Sequence, residues 1–196
     1  MIHLTSEQVD QAVEALRSGG VIVFPTETSY GIGADATNEA AVARIFEIKK
    51  RDLGKALPIL IPKGSAQNYV LVNDAAMALM SAYWPGPLNV ILPVAGDSPV
   101  VSACSSNGTQ SVRESSHPFA ATMVERFGGP VTATSANISG QDAIYSVEEV
   151  LKVFENAGEK PDFVVDAGAL QPTPPSTTVV IEDDGFKVVR EGSIKL

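Results

Sequence analysis

Four cationic side chains lie within seven positions of this 196-residue chain, whose formal net charge is -9. Lys49, Lys50, Arg51 and Lys55 follow the segment 39–48, in which apolar residues recur at helical spacing. Cations near a helix C-terminus stabilise the helix slightly, because they offset its dipole. A cluster this dense in an acidic chain is also typical of a site for a polyanion such as a triphosphate. The residues alone leave both interpretations open.

Hydroxyl side chains follow the first apolar run of the chain. Residues 21–24 show the β-branched pattern of a short strand, and Pro25 ends it because proline lacks a backbone donor. Thr28 lies in the polar turn that comes next. A glycine-rich loop with Gly31 and Gly33 is predicted after that turn, where a ligand can approach the backbone closely.

Four further polar residues come at or just after the ends of predicted strands. Ser135 and Asn137 offer small hydrogen-bonding groups that suit a phosphate or a nucleoside, with a polar loop containing an Asx-type turn as the alternative. Arg113 ends the weakly alternating segment 109–113 and is a candidate anion binder. Arg190 ends the last predicted strand. For both arginines, a plain surface position is the alternative interpretation.

The elements that must position these side chains alternate between helix and strand patterns. Helices are predicted from about residues 6, 39, 75, 119 and 147. Strands are predicted at 21–24, 57–61, 89–93, 109–113, from 131, and at 163–166, 179–181 and 186–190. Asp183 and Asp184 signal the turn of a final hairpin. Short strands interleaved with helices, without a strict βαβ rhythm, predict an α/β fold with an open, twisted, mixed sheet.

Composition limits the class of protein. A hydrophobic content of 44% is ample for one packed domain over residues 1–196. The acidic balance argues against a protein that coats nucleic acid broadly, although a local basic patch could contact RNA. Cys104 is the one cysteine, so neither an internal disulfide nor a multi-cysteine metal site is expected. No signal pattern or membrane-length apolar run is present, and we expect a cytoplasmic protein with no membrane association.

An ordered set of short motifs runs along nearly the whole chain. It comprises FPTETSYGIGADA at 24–36, Lys49-Lys50-Arg51 with Lys55, WPGPL at 84–88, Val112-Arg113 with His117-Pro118, Ser135-Ala136-Asn137, Ser176-Thr177, and Arg190 with Gly192. In this order the motifs resemble the YrdC-like family. The resemblance implies an open α/β fold whose large twisted sheet lines a concave, basic cavity.

The resemblance also implies an activity. Enzymes of this kind are nucleotidyltransferases that join L-threonine, bicarbonate or CO2, and ATP into L-threonylcarbamoyladenylate and release pyrophosphate. Their product serves the N6-threonylcarbamoyladenosine (t6A) modification at position 37 of tRNA. Mg²⁺ with ATP is the expected cofactor, and no separate metal site is expected. The implied macromolecular partners are tRNA or the t6A transferase complex.

Roles for individual residues follow from the matched motifs. Catalytic charge neutralisation on the phosphates would come from Lys49, Arg51 and Lys55. ATP would be bound by Arg51, Lys55, Thr109, Ser135, Asn137 and Arg190. Threonine would be held by Thr28, Arg113, Ser176 and Thr177. Within that set, Arg113 would pair with the carboxylate of threonine.

Departures from the family pattern leave two alternatives. They fall at Ala56, Leu60 and Ala143 and at residues 114–116, where members often carry a proline after the arginine. One alternative is a paralogous protein of the same fold that binds RNA or a nucleotide without catalysis. The other is a carbamoyl-adenylate enzyme that does not use threonine, similar to the homologous domain of hydrogenase maturation proteins.

Overall fold

The computed structural model describes residues 1–155, 157–182 and 185–196. Its helices are α1 (Val9–Arg17), α2 (Glu39–Lys49), α3 (Asp74–Tyr83), α4 (Pro118–Phe127) and α5 (Val147–Phe154). Its strands are β1 (Ile2–Thr5), β2 (Ile22–Pro25), β3 (Tyr30–Gly33), β4 (Ile59–Leu60), β5 (Leu88–Pro93), β6 (Thr109–Arg113), β7 (Val131–Thr132), β8 (Thr134–Ser135), β9 (Phe163–Asp166), β10 (Thr177–Glu182) and β11 (Gly185–Arg190).

The strands form two mixed sheets. One has the order β1-β9-β2-β3-β8, in which β9 runs parallel to both of its neighbours while β3 is antiparallel to β2 and β8. The other has the order β11-β10-β5-β6-β4-β7, with parallel pairs at β10–β5 and β4–β6. The predicted mixed α/β fold is confirmed, with the strands distributed over two sheets.

Strand β2 explains why the five-stranded sheet is buried on both faces. Val23 and the preceding Val21 point into the larger core, which also contains the apolar faces of α2 and α5. Ile22 and Phe24 point into a second core beneath α1 and α4. Alternate side chains of a strand face opposite sides of its sheet, so a continuously apolar strand requires a core on each side.

Helix α2 begins at a side-chain cap and ends at a left-handed residue. The Asn38 side chain accepts a hydrogen bond from the backbone N–H of Ala41 at 3.1 Å and caps the first turn. The helix stops at Lys50, which adopts a left-handed conformation with φ 48°. This geometry turns the chain so that Lys49 is buried while Lys50 is exposed.

The predicted glycine-rich loop at residues 31–33 is wrong, because these residues form strand β3. Each position of β3 pairs with β2, and Gly33 lies where the two sheets approach one another. A Cβ at Gly33 would lie 1.9 Å from the carbonyl oxygen of Thr132 in β7 and 3.0 Å from the Phe24 ring. Gly33 therefore allows a close approach of backbone to backbone within a regular strand.

Strand β1 was not predicted from the sequence. It lies at an edge of its sheet and pairs only with β9, and Leu4 is its one buried residue. A single buried side chain in a short edge strand gives no alternating pattern to detect. Helix α1 also begins at Val9 rather than near Ser6.

Two other boundaries differ from the prediction for local reasons. Strand β4 is limited to Ile59–Leu60, because the flanking Pro58 and Pro62 have no N–H to donate to the sheet. Helix α3 begins at Asp74, and the Asn73 side chain caps it by accepting from the N–H of Ala76 at 2.9 Å. The predicted turn residues Asp183 and Asp184 lie outside the described residues, but the hairpin of β10 and β11 is confirmed.

Cys104 is fully buried in the larger core. Burial raises the pKa of its thiol to about 12, because the thiolate would lose its solvation there. Within the described ranges of the chain, no helix is long and apolar enough to cross a bilayer.

Candidate functional site

A cavity of about 390 Å³ lies between the two sheets. The five-stranded sheet contributes residues that follow or belong to β2, β3 and β8, and the six-stranded sheet contributes residues of β5, β6 and β11. Its polar lining consists of Thr26, Thr28, Ser29, Asn89, Arg113, Thr134, Ser135, Asn137, Gln141, Asp142, Tyr145, Thr173, Ser176 and Arg190. Two guanidinium groups and many hydroxyls make it a site suited to anionic, hydroxyl-bearing ligands.

The segment from Ser135 to Asn137 forms one wall and is tied together by its own side chains. The Ser135 hydroxyl donates to the side-chain oxygen of Asn137. The Asn137 amide in turn donates to the carbonyl of Gln141, which brings the following loop onto the cavity. The wall therefore presents hydroxyl and amide groups from a fixed backbone.

Lys49 lies beneath this wall rather than in the cavity. Its side chain is 1% exposed and does not line the cavity. Its ammonium donates to the carbonyl of Ser135, to the carbonyl of Asn137 at 2.6 Å and to the Asn137 side-chain oxygen at 3.2 Å. The three donors of Lys49 thus fix the Ser135–Asn137 backbone.

Burial has a strong effect on the charge of Lys49. Loss of solvation, followed by repulsion from nearby Arg51, lowers the pKa of Lys49 from 10.5 to about 7. Lysine at this position can therefore change its protonation state near neutral pH.

Arg51 and Lys55 lie in the turn after α2 and do not line the cavity. The Arg51 guanidinium donates to the carbonyl of Lys55 at 3.0 Å and to the carbonyl of Ala56 at 2.9 Å. Burial lowers the pKa of Arg51. Lys55 is exposed. This closed turn leads directly to Pro58, which does line the cavity, so both cations are close to its edge in sequence.

Arg190, at the end of β11, lines the cavity from the six-stranded sheet, whereas the Ser135–Asn137 wall belongs to the side of the five-stranded sheet. Its Nε and Nη2 donate to the carbonyl of Ser176 at 3.0 and 2.8 Å, which fixes the guanidinium against β10. Partial burial, followed by the positive charge of Arg113, lowers the pKa of Arg190. The two arginines therefore share one electrostatic environment, which an anion would stabilise.

The turn that carries Thr28 is held by a neighbouring hydroxyl. The Thr26 side-chain oxygen donates to the carbonyl of Ser29 at 2.7 Å and accepts from the N–H groups of Thr28 and Ser29, both at 3.3 Å. Thr28 lines the cavity together with Arg113.

Two predicted residues have their hydroxyls engaged elsewhere. Thr109 is at the far end of β6 from Arg113, and its hydroxyl donates to the carbonyl of Ser106 at 2.8 Å. Thr177 is buried, and its hydroxyl both donates to the carbonyl of Ile194 and accepts from the Ile194 N–H. The structure does not bring either side chain to the cavity.

Of the predicted site residues, six meet at the cavity. They are Thr28, Arg113, Ser135, Asn137, Ser176 and Arg190. Lys49 supports its wall, whereas Arg51 and Lys55 lie in the turn before Pro58 and do not line it. The roles assigned to all of these residues stay predictions.

Sequence reasoning missed several residues that line or support the cavity. Glu27 pairs with Arg113, and Asn89, Asp142, Tyr145 and Thr173 line the cavity. Glu27 belongs to the PTETSYG motif, so its place next to Thr28 was a usable signal. The others lie in strands or loops whose sequence pattern gives no sign that these side chains face the cavity.

A sequence model of one protein family matches most of the chain. This family carries the names Sua5, YciO and YrdC and the description "Telomere recombination", and the match covers residues 14–192. The chain therefore belongs to the Sua5/YciO/YrdC family. The resemblance expected from the short motifs is confirmed.

Particular relatives and structures are similar over much of the chain. The threonylcarbamoyl-AMP synthase of Vibrio cholerae serotype O1 is 39% identical over 155 residues, which are 76% of this chain and 81% of that protein. P. abyssi Sua5 complexed with L-threonine superposes with a TM-score of 0.86 and 31% identity, covering 97% of this chain and 57% of that one. E. coli YciO gives a TM-score of 0.86 and 28% identity, covering 99% and 95%. The chain thus spans little more than half of P. abyssi Sua5.

Proposed function

We propose that this protein is a nucleotidyltransferase that forms L-threonylcarbamoyladenylate and pyrophosphate from L-threonine, bicarbonate or CO2, and ATP. The observation that carries the proposal is the meeting of two sets of groups in one cavity. Thr28 and Arg113 suit an amino acid, while Ser135, Asn137 and Arg190 suit a nucleotide. The relatives named as threonylcarbamoyl-AMP synthases support the same activity.

The reaction requires positioning more than covalent chemistry from the protein. The threonine amine adds to CO2 and loses a proton, which gives a carbamate. A carbamate oxygen then forms a bond to the α-phosphorus of ATP, and the bond from that phosphorus to the β-phosphate oxygen breaks. Pyrophosphate takes the departing electron pair. Charge accumulates on the phosphate oxygens, so fixed donors and cations stabilise the transition state.

The nucleotide side of the cavity would be formed by the Ser135–Asn137 wall and by Arg190. The second N–H of the Asn137 amide would donate to a phosphate or ribose oxygen, and the Ser135 hydroxyl, whose proton goes to Asn137, would accept from a ribose hydroxyl, with Lys49 holding their backbone in place. Arg51 and Lys55 would neutralise the outer phosphates from the cavity edge. Arg190 would supply the cation at the opposite wall.

The amino-acid side would be formed around Arg113. Its guanidinium would bind the threonine carboxylate, and the hydroxyls of Thr28 and Ser176 would bind the threonine side chain or amine. A hydroxyl-lined pocket discriminates by leaving its polar groups unpaired when a substrate lacks the matching group. Threonine is therefore preferred over purely aliphatic amino acids.

Mg²⁺ would enter with ATP. Among the described residues, no group of three or more histidine, cysteine or acidic side chains could hold a metal ion by itself. Asp142 is the one carboxylate among the described lining residues, and Mg²⁺ is commonly held by one carboxylate together with substrate phosphates and water. The donor set therefore fits a nucleotide-borne ion, which would neutralise charge on the phosphates.

The product would serve t6A formation at position 37 of tRNA. Its consumer would be tRNA bound to the t6A transferase complex, and the protein would work in the cytoplasm, where both tRNA and ATP are available. The acidic net charge of -9 favours a small-molecule enzyme over a tRNA carrier.

One observation favours a second candidate function. The sequence departs from the family pattern at Ala56, Leu60 and residues 114–116, which adjoin Pro58 and Arg113 of the cavity lining. These departures fit a paralogous protein that binds RNA or a nucleotide, or that activates a carbamoyl group without threonine. Such a protein would use ATP in a threonine-independent manner or not at all.

Pyrophosphate release distinguishes these functions. The purified protein is incubated with ATP and Mg²⁺, with and without L-threonine and bicarbonate, and serine serves as the control amino acid. The proposed activity requires release that depends on both threonine and bicarbonate. Release without threonine dependence, or ATP binding without release, would move the assignment to the paralogous function.

A matched pair of variants tests the assignment of the cavity. Ser135→Ala removes a hydroxyl that lines the cavity, and we expect the KM for ATP to rise about tenfold. Thr109→Ala removes a hydroxyl at the far end of β6, and its KM for ATP should stay within about twofold of the wild-type value. Equal effects would place the nucleotide elsewhere.

A further inference from the structure

A buried ion pair joins the two sheets beside the cavity. Glu27 lies in the turn between β2 and β3, and Arg113 is the last residue of β6 in the other sheet. Arg113 Nη1 donates to Glu27 Oε1, and the side chains are only 7% and 13% exposed. An ion pair with so little solvent exposure is held in one geometry, because separating the two side chains would leave a buried charge without a partner.

The second oxygen of the Glu27 carboxylate is also held. Ser115 Oγ donates to Glu27 Oε2 at 2.6 Å, and the backbone N–H of His117 donates to Ser115 Oγ at 3.2 Å. His117 Nδ1 accepts from the N–H of Phe119 at 3.2 Å and caps helix α4. Glu27 is therefore anchored through Ser115 to the start of a helix, and it cannot rotate freely about its side chain.

Arg113 has donors left over on the cavity side. Among the described residues, Arg113 donates a hydrogen bond to Glu27 through Nη1, while its Nε and Nη2 have no protein acceptor. Arg113 lines the cavity, whereas Glu27 does not. A guanidinium offers its five N–H groups in a rigid plane. Fixing one nitrogen therefore fixes the direction in which the remaining ones point.

Two opposing effects of the Glu27 charge can be compared. Its negative charge could repel a second carboxylate, or its hydrogen bonds could hold Arg113 ready for one. The carboxylate of Glu27 already accepts from Arg113 and Ser115 and lies outside the cavity lining. Arg190 adds a second positive charge on the cavity side. Both facts favour orientation over repulsion.

We propose that Glu27 is a positioning residue that orients the Arg113 guanidinium toward the carboxylate of the amino-acid substrate, and that Ser115 locks Glu27 in this role. The inference rests on the proposed function, since it assumes an amino acid at Arg113. It adds a specificity element: the site selects a free carboxylate because Arg113 presents two donors in a fixed direction.

Equilibrium binding to the full chain tests the proposal. Isothermal titration compares L-threonine with L-threoninamide, which lacks the carboxylate, on wild type, Glu27→Gln and Ser115→Ala. We expect the Kd for threonine to rise about tenfold in Glu27→Gln and about threefold in Ser115→Ala. The Kd values for threoninamide and for ATP with Mg²⁺ should change less than about twofold.

A matched control removes the same charge elsewhere. Glu47 is exposed on α2 and does not line the cavity, so Glu47→Gln should leave all three affinities unchanged. Thermal unfolding of each variant checks that it is folded. If Glu27→Gln fails to fold, Ser115→Ala alone carries the comparison of threonine with threoninamide.

Four results would overturn the inference. Equal losses for threonine and threoninamide would show a general structural effect, and unchanged threonine affinity would show no role. Tighter threonine binding in Glu27→Gln would show that Glu27 competes with the substrate. If the wild-type protein binds no threonine, the proposed function fails and this inference fails with it. Wild-type threonine binding with an inert Glu27 would overturn the inference alone.

Discussion

Lys49 contributes to the cavity through the residues that it holds. Its ammonium donates to three oxygens of Ser135 and Asn137, so its three donors are already used within the protein. A direct bond to a phosphate would break one of these contacts. In this arrangement Lys49 supports the Ser135–Asn137 wall, and its role at the phosphates stays a prediction.

The lowered pKa of Lys49 leads to a prediction about stability and pH. Between pH 7 and 10.5 the unfolded chain binds a proton at Lys49 that the folded chain releases, so the stability contribution of Lys49 rises with pH in this window. Lys49→Met lacks this dependence. We expect the unfolding free energy of wild type relative to Lys49→Met to increase by about 1 kcal/mol per pH unit in urea unfolding at about pH 7, 8 and 9. Parallel profiles for the two proteins would contradict the prediction.

Some site residues were accessible from sequence and others were not, for a physical reason. Ser135, Asn137 and Arg190 are polar residues at strand ends, and strand ends of both sheets meet at the cavity. Thr109 was predicted from the family resemblance, and its hydroxyl donates to the carbonyl of Ser106 outside the cavity. Glu27 was missed because its importance depends on Arg113, which lies 86 residues away in sequence. A contact between residues so far apart in sequence becomes visible only when the arrangement of the two sheets is known.

At the scale of elements, the contact between β3 and β7 sets how closely the sheets approach. Gly33→Ala places a Cβ 1.9 Å from the Thr132 carbonyl oxygen, and the backbone would have to move. We expect destabilisation by about 3 kcal/mol, because neither strand has a flexible side chain there to give way. Chemical unfolding measures this difference.

Gly96→Ala is the matched control for this substitution. No atom lies within 4 Å of a Cβ added at Gly96, and its backbone does not need a positive φ. Its stability should change by less than about 0.5 kcal/mol, or increase slightly because alanine restricts the unfolded chain. A mild effect at Gly33 comparable to that at Gly96 would show that the two sheets can separate locally.

Elements with a strong internal pattern were predicted well. Helices α2 and α5 carry both apolar periodicity and a side-chain cap, at Asn38 and Ser146, and both begin where they were predicted, at residues 39 and 147. The glycines of β3 were assigned to a loop, because the local sequence does not show that another strand packs against them. Glycine has the same local signal whether it serves a turn or a close contact.

At the scale of the whole molecule, residues of both sheets line the cavity. A ligand that contacts both walls would hold the sheets together. At about 100 times its Kd, a ligand that binds only the folded state adds about 2.7 kcal/mol, which corresponds to a Tm increase of roughly 5–10 °C at this size. We expect that increase with ATP, Mg²⁺ and L-threonine together, measured by calorimetry.

The same variants used for activity provide the control for this measurement. Thr109→Ala should keep the full Tm increase, because its hydroxyl lies away from the cavity. Ser135→Ala should lose part of it. An increase of equal size in both would mean that the ligand binds outside the cavity.

The burial of Cys104 gives the protein an internal probe of its own opening. A thiol with a pKa near 12 holds almost no thiolate at neutral pH, and its complete burial also keeps reagents away. Alkylation can then proceed only in molecules whose larger core has opened, so each labelled molecule marks one unfolding event. Mass spectrometry of iodoacetamide labelling over time would therefore report how readily the core opens. Tightly bound substrates should lower the rate of labelling of Cys104.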